Sequence, residues 1–140
     1  MSRVGLTVFV SGEGTNLKAL ISAIVNNILP CKIDHVISNK DCSAVFLARD
    51  NNIKTNVLHW NSKLESREEY DAKLVSLVKN VTKNTDNHII VLAGWMHILS
   101  ETFTSKFPNI LNLHPALPGQ FDGSPDAIND AFKLYQEGKR

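Results

Sequence analysis

Leu6-Thr7-Val8-Phe9-Val10, followed at once by Ser11-Gly12-Glu13-Gly14 and then by Thr15-Asn16-Leu17, limits how the rest of the chain can fold. A short apolar run closed by glycines reads as a strand covered on both faces, the situation of a parallel sheet. Asn16 or Thr15 is expected to cap the helix that follows, because Leu17, Leu20, Ile21 and Ile24 recur at helical spacing and form one apolar stripe. Strand, glycine turn and helix in this order open a Rossmann-like unit. The glycines allow close backbone approach, and the first turn of the helix offers unpaired N–H groups and a favourable dipole. A phosphate is the natural ligand.

The kind of phosphate stays open at this point. Gly12-x-Gly14 resembles a dinucleotide fingerprint, yet Leu17 occupies the third glycine position. The second strand, ending Val36-Ile37-Ser38-Asn39, carries no ribose-binding carboxylate at its tip, although Asp41 lies nearby. A monophosphate fits better, with a dinucleotide or a plain glycine turn as alternatives. No Gly-Lys-Ser/Thr follows, which removes a nucleotide P-loop.

Strands and helices keep alternating. Ser43-Ala44-Val45-Phe46-Leu47-Ala48-Arg49-Asp50 reads as a helix ending at Asn51-Asn52, and Lys54-Thr55-Asn56-Val57-Leu58 as a third strand. Ser66-Arg67-Glu68-Glu69 is a capping box opening a helix to about Lys83, with Tyr70, Leu74, Leu77, Val78 and Val81 inward. Arg67 is out of place there, since a first turn disfavours cations; it is either a solvated arginine or one held for a ligand. His88-Ile89-Ile90-Val91-Leu92-Ala93-Gly94 is the strongest strand pattern. Trp95-Met96-His97-Ile98-Leu99 follows it, then a short helix capped by Ser100 and running to about Phe107. The 95–99 stretch suits either core packing or a slot for a flat ring.

The last strand signal runs into Asn112-Leu113-His114-Pro115. In extended backbone Asn112 and His114 share a face while Leu113 turns to the core, and Pro115 keeps His114 out of helical geometry. At the carboxyl rim of a parallel sheet, an amide can hold an oxyanion and an imidazole can move a proton, which suits acyl transfer. A strand cap and a turn tie are the plainer alternative. Ser124-Pro125-Asp126 is expected to open a final helix.

The 140 residues fit a single domain, 1–140. With 43% apolar and 21% charged residues the balance is that of a soluble protein, and 15 basic against 14 acidic residues give no excess to attract nucleic acid. Cys31 and Cys42 form no C-x-x-C pair, so a reduced, cytoplasmic setting is expected, without disulfide or zinc. Five histidines give no ligand spacing, and no metal is expected. No apolar run is long enough for a membrane span, no signal peptide is read, and no Gly-x-Ser-x-Gly elbow supports a serine hydrolase.

Three stretches in order, 8–17, 93–99 and 112–119, closely resemble the phosphoribosylglycinamide formyltransferase family of purine biosynthesis, and Pro-Ala-Leu-Pro-Gly-x-Phe-Asp-Gly resembles its fungal members. The resemblance implies an α/β, Rossmann-like, mostly parallel sheet with helices on both faces. It also implies an enzyme that moves a formyl group from 10-formyltetrahydrofolate to the amine of glycinamide ribonucleotide. Gly14, Thr15 and Asn16 would bind the substrate phosphate. Arg67, Met96, His97, Ile98, Leu99 and Asn112 would meet the folate, and Asn112 and His114 would be catalytic. His97 stands where many members carry arginine. The family continues beyond the region matched, with further strands and an aspartate that pairs with the catalytic histidine, so the resemblance reads this chain as an N-terminal part lacking the C-terminal strands. A truncated, non-catalytic phosphoribosyl-binding domain is the alternative, and a homodimer is compatible with either.

Overall fold

The computed structural model describes residues 4–83 and 88–113. His114 and the helix expected after Ser124 lie outside the described residues. Five strands form one sheet in the order β3-β2-β1-β4-β5, every pairing parallel. They are β1 (Val4–Val10), β2 (Cys31–Ser38), β3 (Thr55–Val57), β4 (His88–Ala93) and β5 (Ile110–Leu113). The helices are α1 (Thr15–Val25), α2 (Ser43–Asp50), α3 (Arg67–Thr82) and the single turn α4 (Glu101–Thr104).

The strands carry apolar side chains on both faces because both faces are covered. On β1, Leu6, Val8 and Val10 join Leu17, Leu20 and Ala23 of α1 and Ala44 and Ala48 of α2 in one core. Phe9, pointing the other way, joins Ile90 of β4, Tyr70, Leu74 and Val78 of α3, and Phe103 of α4 in a second core. Alternate residues of one strand thus feed two cores. The winding reverses between β1 and β4, so a crevice opens above their carboxyl ends, where such sheets hold ligands.

Three details differ from the sequence expectation. Neither Asn16 nor Thr15 caps α1: the N-cap is Gly14, in the left-handed region at φ 89°, with no side-chain cap. β3 is only Thr55–Val57, and α4 stops at Thr104 rather than near Phe107. Ser100 does precede α4, but its hydroxyl makes no cap bond. The expected capping box of α3 is present, with Ser66 Oγ accepting from the Glu69 N–H and Glu69 accepting from the Ser66 N–H.

α1 and α2 end alike. Asn27 and Asn52 sit at φ 60°, and the amides of Ile28 and Ile53 donate back to the carbonyls of Ala23 and Ala48. Both are Schellman endings with asparagine in the left-handed place.

Gly14 has two reasons to be glycine. Its φ is positive, and a Cβ there would lie 3.0 Å from Ala44 Cα, where α2 begins against the turn. The Ala44 N–H donates to the Gly12 carbonyl at 3.0 Å, so α2 cannot retreat without losing that bond. Gly14→Ala is expected to destabilise the fold by about 2 kcal/mol, lowering the melting temperature by roughly 8 °C in a thermal melt.

At the opposite end of the sheet, Thr7 Oγ1 and His88 Nε2 are hydrogen-bonded at 2.5 Å. Burial pushes the His88 imidazole below its ordinary value of 6.5, with Asp34 pulling partly back. The folded chain therefore binds this proton less readily than the unfolded chain, and stability falls as pH drops below about 6.5 towards the lowered value, while above it the contribution is constant. Melting temperatures measured between neutral and mildly acid pH should show this slope, and it should flatten in His88→Gln.

Candidate active site

Three of the segments singled out in the sequence meet above the β1–β4 crevice. The turn at Gly12-Glu13-Gly14 leaves α1 with no side chain over its first amides and no acidic residue in its first turn. Those N–H groups and the positive end of the helix are therefore open to an anion. Thr15 is exposed; Asn16 is half-buried and its Nδ2–H donates to the Leu113 carbonyl at 3.4 Å. That contact brings the turn against the end of β5.

β5 presents its residues as alternation requires, with Asn112 exposed and Leu113 buried. Asn112 lines a cleft of about 460 Å³ together with Met96, His97, Ile98 and Leu99. Phe107, Pro108 and Ile110 close its other side. Met96 and Ile98 are 77% and 71% exposed, which settles the choice left open for this segment: these two are cleft residues and not core. An apolar slot with one amide at its rim suits a flat ring bearing a reactive carbonyl group.

His97 faces the other way from Met96 and Ile98. Its ring is buried, edge-on to Trp60 and Tyr70 at centroid distances of 4.8 and 5.1 Å, and its Nε2–H donates to Asp71 Oδ1 at 2.7 Å. The second carboxylate oxygen accepts the Ser100 N–H at 2.6 Å. Tyr70, beside Asp71, donates its hydroxyl to the Leu58 carbonyl at 2.6 Å; burial, then Asp71, raises its pKa, which keeps it a neutral donor. Arg67 is exposed at the start of α3, makes no hydrogen bond or ion pair among the described residues, and is not part of the cleft lining.

Two residues of this region were not marked by the sequence. Ser11, buried at the end of β1, accepts the Met96 N–H at 2.9 Å and ties the crevice wall to the segment after β4. Asp71 is fully buried although it is an acid. Its signal was present: it lies on the inward stripe with Leu74, Val75 and Val78, where a carboxylate needs donors waiting for it. No group of metal-binding residues occurs among the described residues, and no described helix is long and apolar enough to cross a membrane.

Comparison with known proteins agrees with this geometry. The family model described as Formyl transferase matches residues 4–138. The phosphoribosylglycinamide formyltransferase of Dictyostelium discoideum is 37% identical over 96% of this chain and 69% of its own length. That of Schizosaccharomyces pombe is also 37% identical, over 96% of this chain and 69% of its own length. Among solved structures, the phosphoribosylglycinamide formyltransferase of Coxiella burnetii superposes with a TM-score of 0.71 at 32% identity, covering 86% of this chain and 55% of that one. The chain thus spans between about half and two thirds of these proteins. With a family match across nearly its whole length and the sheet order described above, the chain belongs to the formyl transferase family.

Proposed function

We propose that the protein transfers a formyl group from 10-formyltetrahydrofolate to the amine of glycinamide ribonucleotide, in the cytoplasm. The observation that carries this reading is the meeting of two unlike half-sites at one rim. An anion-ready helix start abuts β5 through Asn16 and Leu113, and the apolar cleft ends at Asn112 on the same strand.

Each half suits one substrate. The amides at Thr15 and Asn16, which no side chain caps, take the ribose phosphate. The cleft takes the pterin ring, with Met96, Ile98 and Leu99 against its faces and the backbone of the same segment, His97 included, reading its polar edge. Arg67, free of partners among the described residues, meets the negatively charged tail of the folate.

In the reaction the substrate amine attacks the formyl carbon, a new C–N bond forms, and the bond from that carbon to the folate nitrogen breaks. The oxygen carries the negative charge in between. Asn112 donates its amide N–H to that oxygen, and His114, two residues on in the sequence, gives a proton to the departing folate nitrogen and regains one from the amine that has attacked.

A formyl-transfer assay with both substrates tests the proposal. Asn112→Ala is expected to lower kcat by about a hundredfold or more, the usual effect of losing an oxyanion donor, with little change in ribonucleotide affinity. Turnover that survives Asn112→Ala would remove Asn112 from the chemistry. Ribonucleotide binding without any turnover would favour a phosphoribosyl-binding domain instead.

The phosphate half has its own test. Thr15→Asp places a negative charge in the first turn of α1, which favours the helix but repels an anion. The dissociation constant for glycinamide ribonucleotide is expected to rise about tenfold or more while folate binding and the melting temperature hold. Unchanged ribonucleotide affinity in titration calorimetry would place the phosphate elsewhere.

A further inference from the structure

We infer that Asp71 is a positioning residue for the folate half of the site, acting through His97; this rests on the formyl-transfer reading above. Asp71 belongs to α3 and does not itself line the cleft, yet both its oxygens are bonded to the segment that forms one cleft wall. Oδ1 accepts from His97 Nε2–H at 2.7 Å and Oδ2 from the Ser100 N–H at 2.6 Å. Both side chains are withdrawn from water, at 1% exposure for His97 and 0% for Asp71.

The segment between them is neither helix nor strand, so no ladder of backbone bonds fixes its register. Two polar ties hold it. The Met96 N–H is bonded to Ser11 Oγ just after β1, and His97 and Ser100 are bonded to Asp71 on α3. His97 points in while its neighbours Met96 and Ile98 point out, so pinning the one ring sets where two cleft side chains stand. Because a carboxylate can accept but not donate, the imidazole hydrogen must lie on Nε2. Nδ1 is buried without a partner among the described residues. The bond to Asp71 is therefore the polar interaction that orients the ring, and aromatic contacts with Trp60, Tyr70 and Trp95 supply the rest.

An apolar residue at position 71 would pack in α3 without the desolvation cost of a buried carboxylate. What the carboxylate adds is register: two acceptor atoms on one rigid group fit donors three residues apart along the wall. The same helix begins with Arg67, one turn before Asp71, so the arginine proposed for the folate tail and the wall proposed for its ring share one anchor.

Equilibrium binding of tetrahydrofolate and of glycinamide ribonucleotide, measured separately by calorimetry on the full chain, tests the inference without needing turnover. Asp71→Asn keeps the shape but turns an N–H2 towards one of the two donors. Tetrahydrofolate affinity is expected to fall about tenfold or more, while ribonucleotide affinity changes less than about twofold. His97→Leu should match that loss. His97→Gln, which keeps a side-chain N–H for the carboxylate, should recover most of it.

Equal weakening of both ligands would make Asp71 a general scaffold residue and overturn the inference, as would unchanged tetrahydrofolate affinity in a folded Asp71→Asn chain. Should Asp71→Asn fail to fold, the comparison of His97→Leu with His97→Gln decides, and equal affinities in those two overturn it. Absence of tetrahydrofolate binding in the unsubstituted chain removes the formyl-transfer reading itself, and this inference with it.

Discussion

The central position of β1 is the constraint on which the rest depends. It is paired in parallel with β2 on one side and β4 on the other, and the chain leaves β1 and β4 in opposite winding directions. Helices α1 and α2 must then cover one face and α3 and α4 the other. No helix can close over the carboxyl ends of β1 and β4, because their connections depart to either side. The crevice is thus a result of topology, and the residues within it only decide what it holds.

Those residues divide the work by the kind of group involved. In the proposed site the phosphate half uses main-chain N–H groups at the start of α1, where no side chain caps the helix and no acid stands in the first turn. The ring half proposed beside it uses side chains, with Met96 and Ile98 exposed and Leu99 beside them in the cleft lining. A backbone site is rigid because its helix is rigid. A side-chain wall on irregular backbone needs outside support, which here comes from Ser11 and Asp71.

This difference also governs what could be read from the sequence. The alternation of strands and helices, the capping box at Ser66 and the asparagine ending at Asn51-Asn52 were legible because each depends on residues within a turn or two of one another. The outward placement of Asn112 followed from period-two alternation, whereas 95–99 suited core packing as well as a ring slot, and it is the exposure of Met96 and Ile98 that separates the two. The cap of α1 was misread because asparagine and threonine are good caps in isolation, whereas the close approach of Ala44 requires the left-handed glycine one position earlier. The inward place of Asp71 on α3 could have been read, but the partners of Ser11 and Asp71 could not, since they lie 85 and 26 or more positions away.

His97 shows how one buried carboxylate can serve a side chain and the main chain together. An imidazole offers Asp71 a single donor, which reaches Oδ1, and the Ser100 amide takes the second oxygen. Both carboxylate oxygens are thus bonded, one of them to backbone at the start of α4. The wall is held at two points three residues apart, one through a ring and one through a main-chain donor. Aromatic faces from Trp60, Tyr70 and Trp95 close around the ring, a better fit for imidazole than for a charged guanidinium that would need further acceptors there.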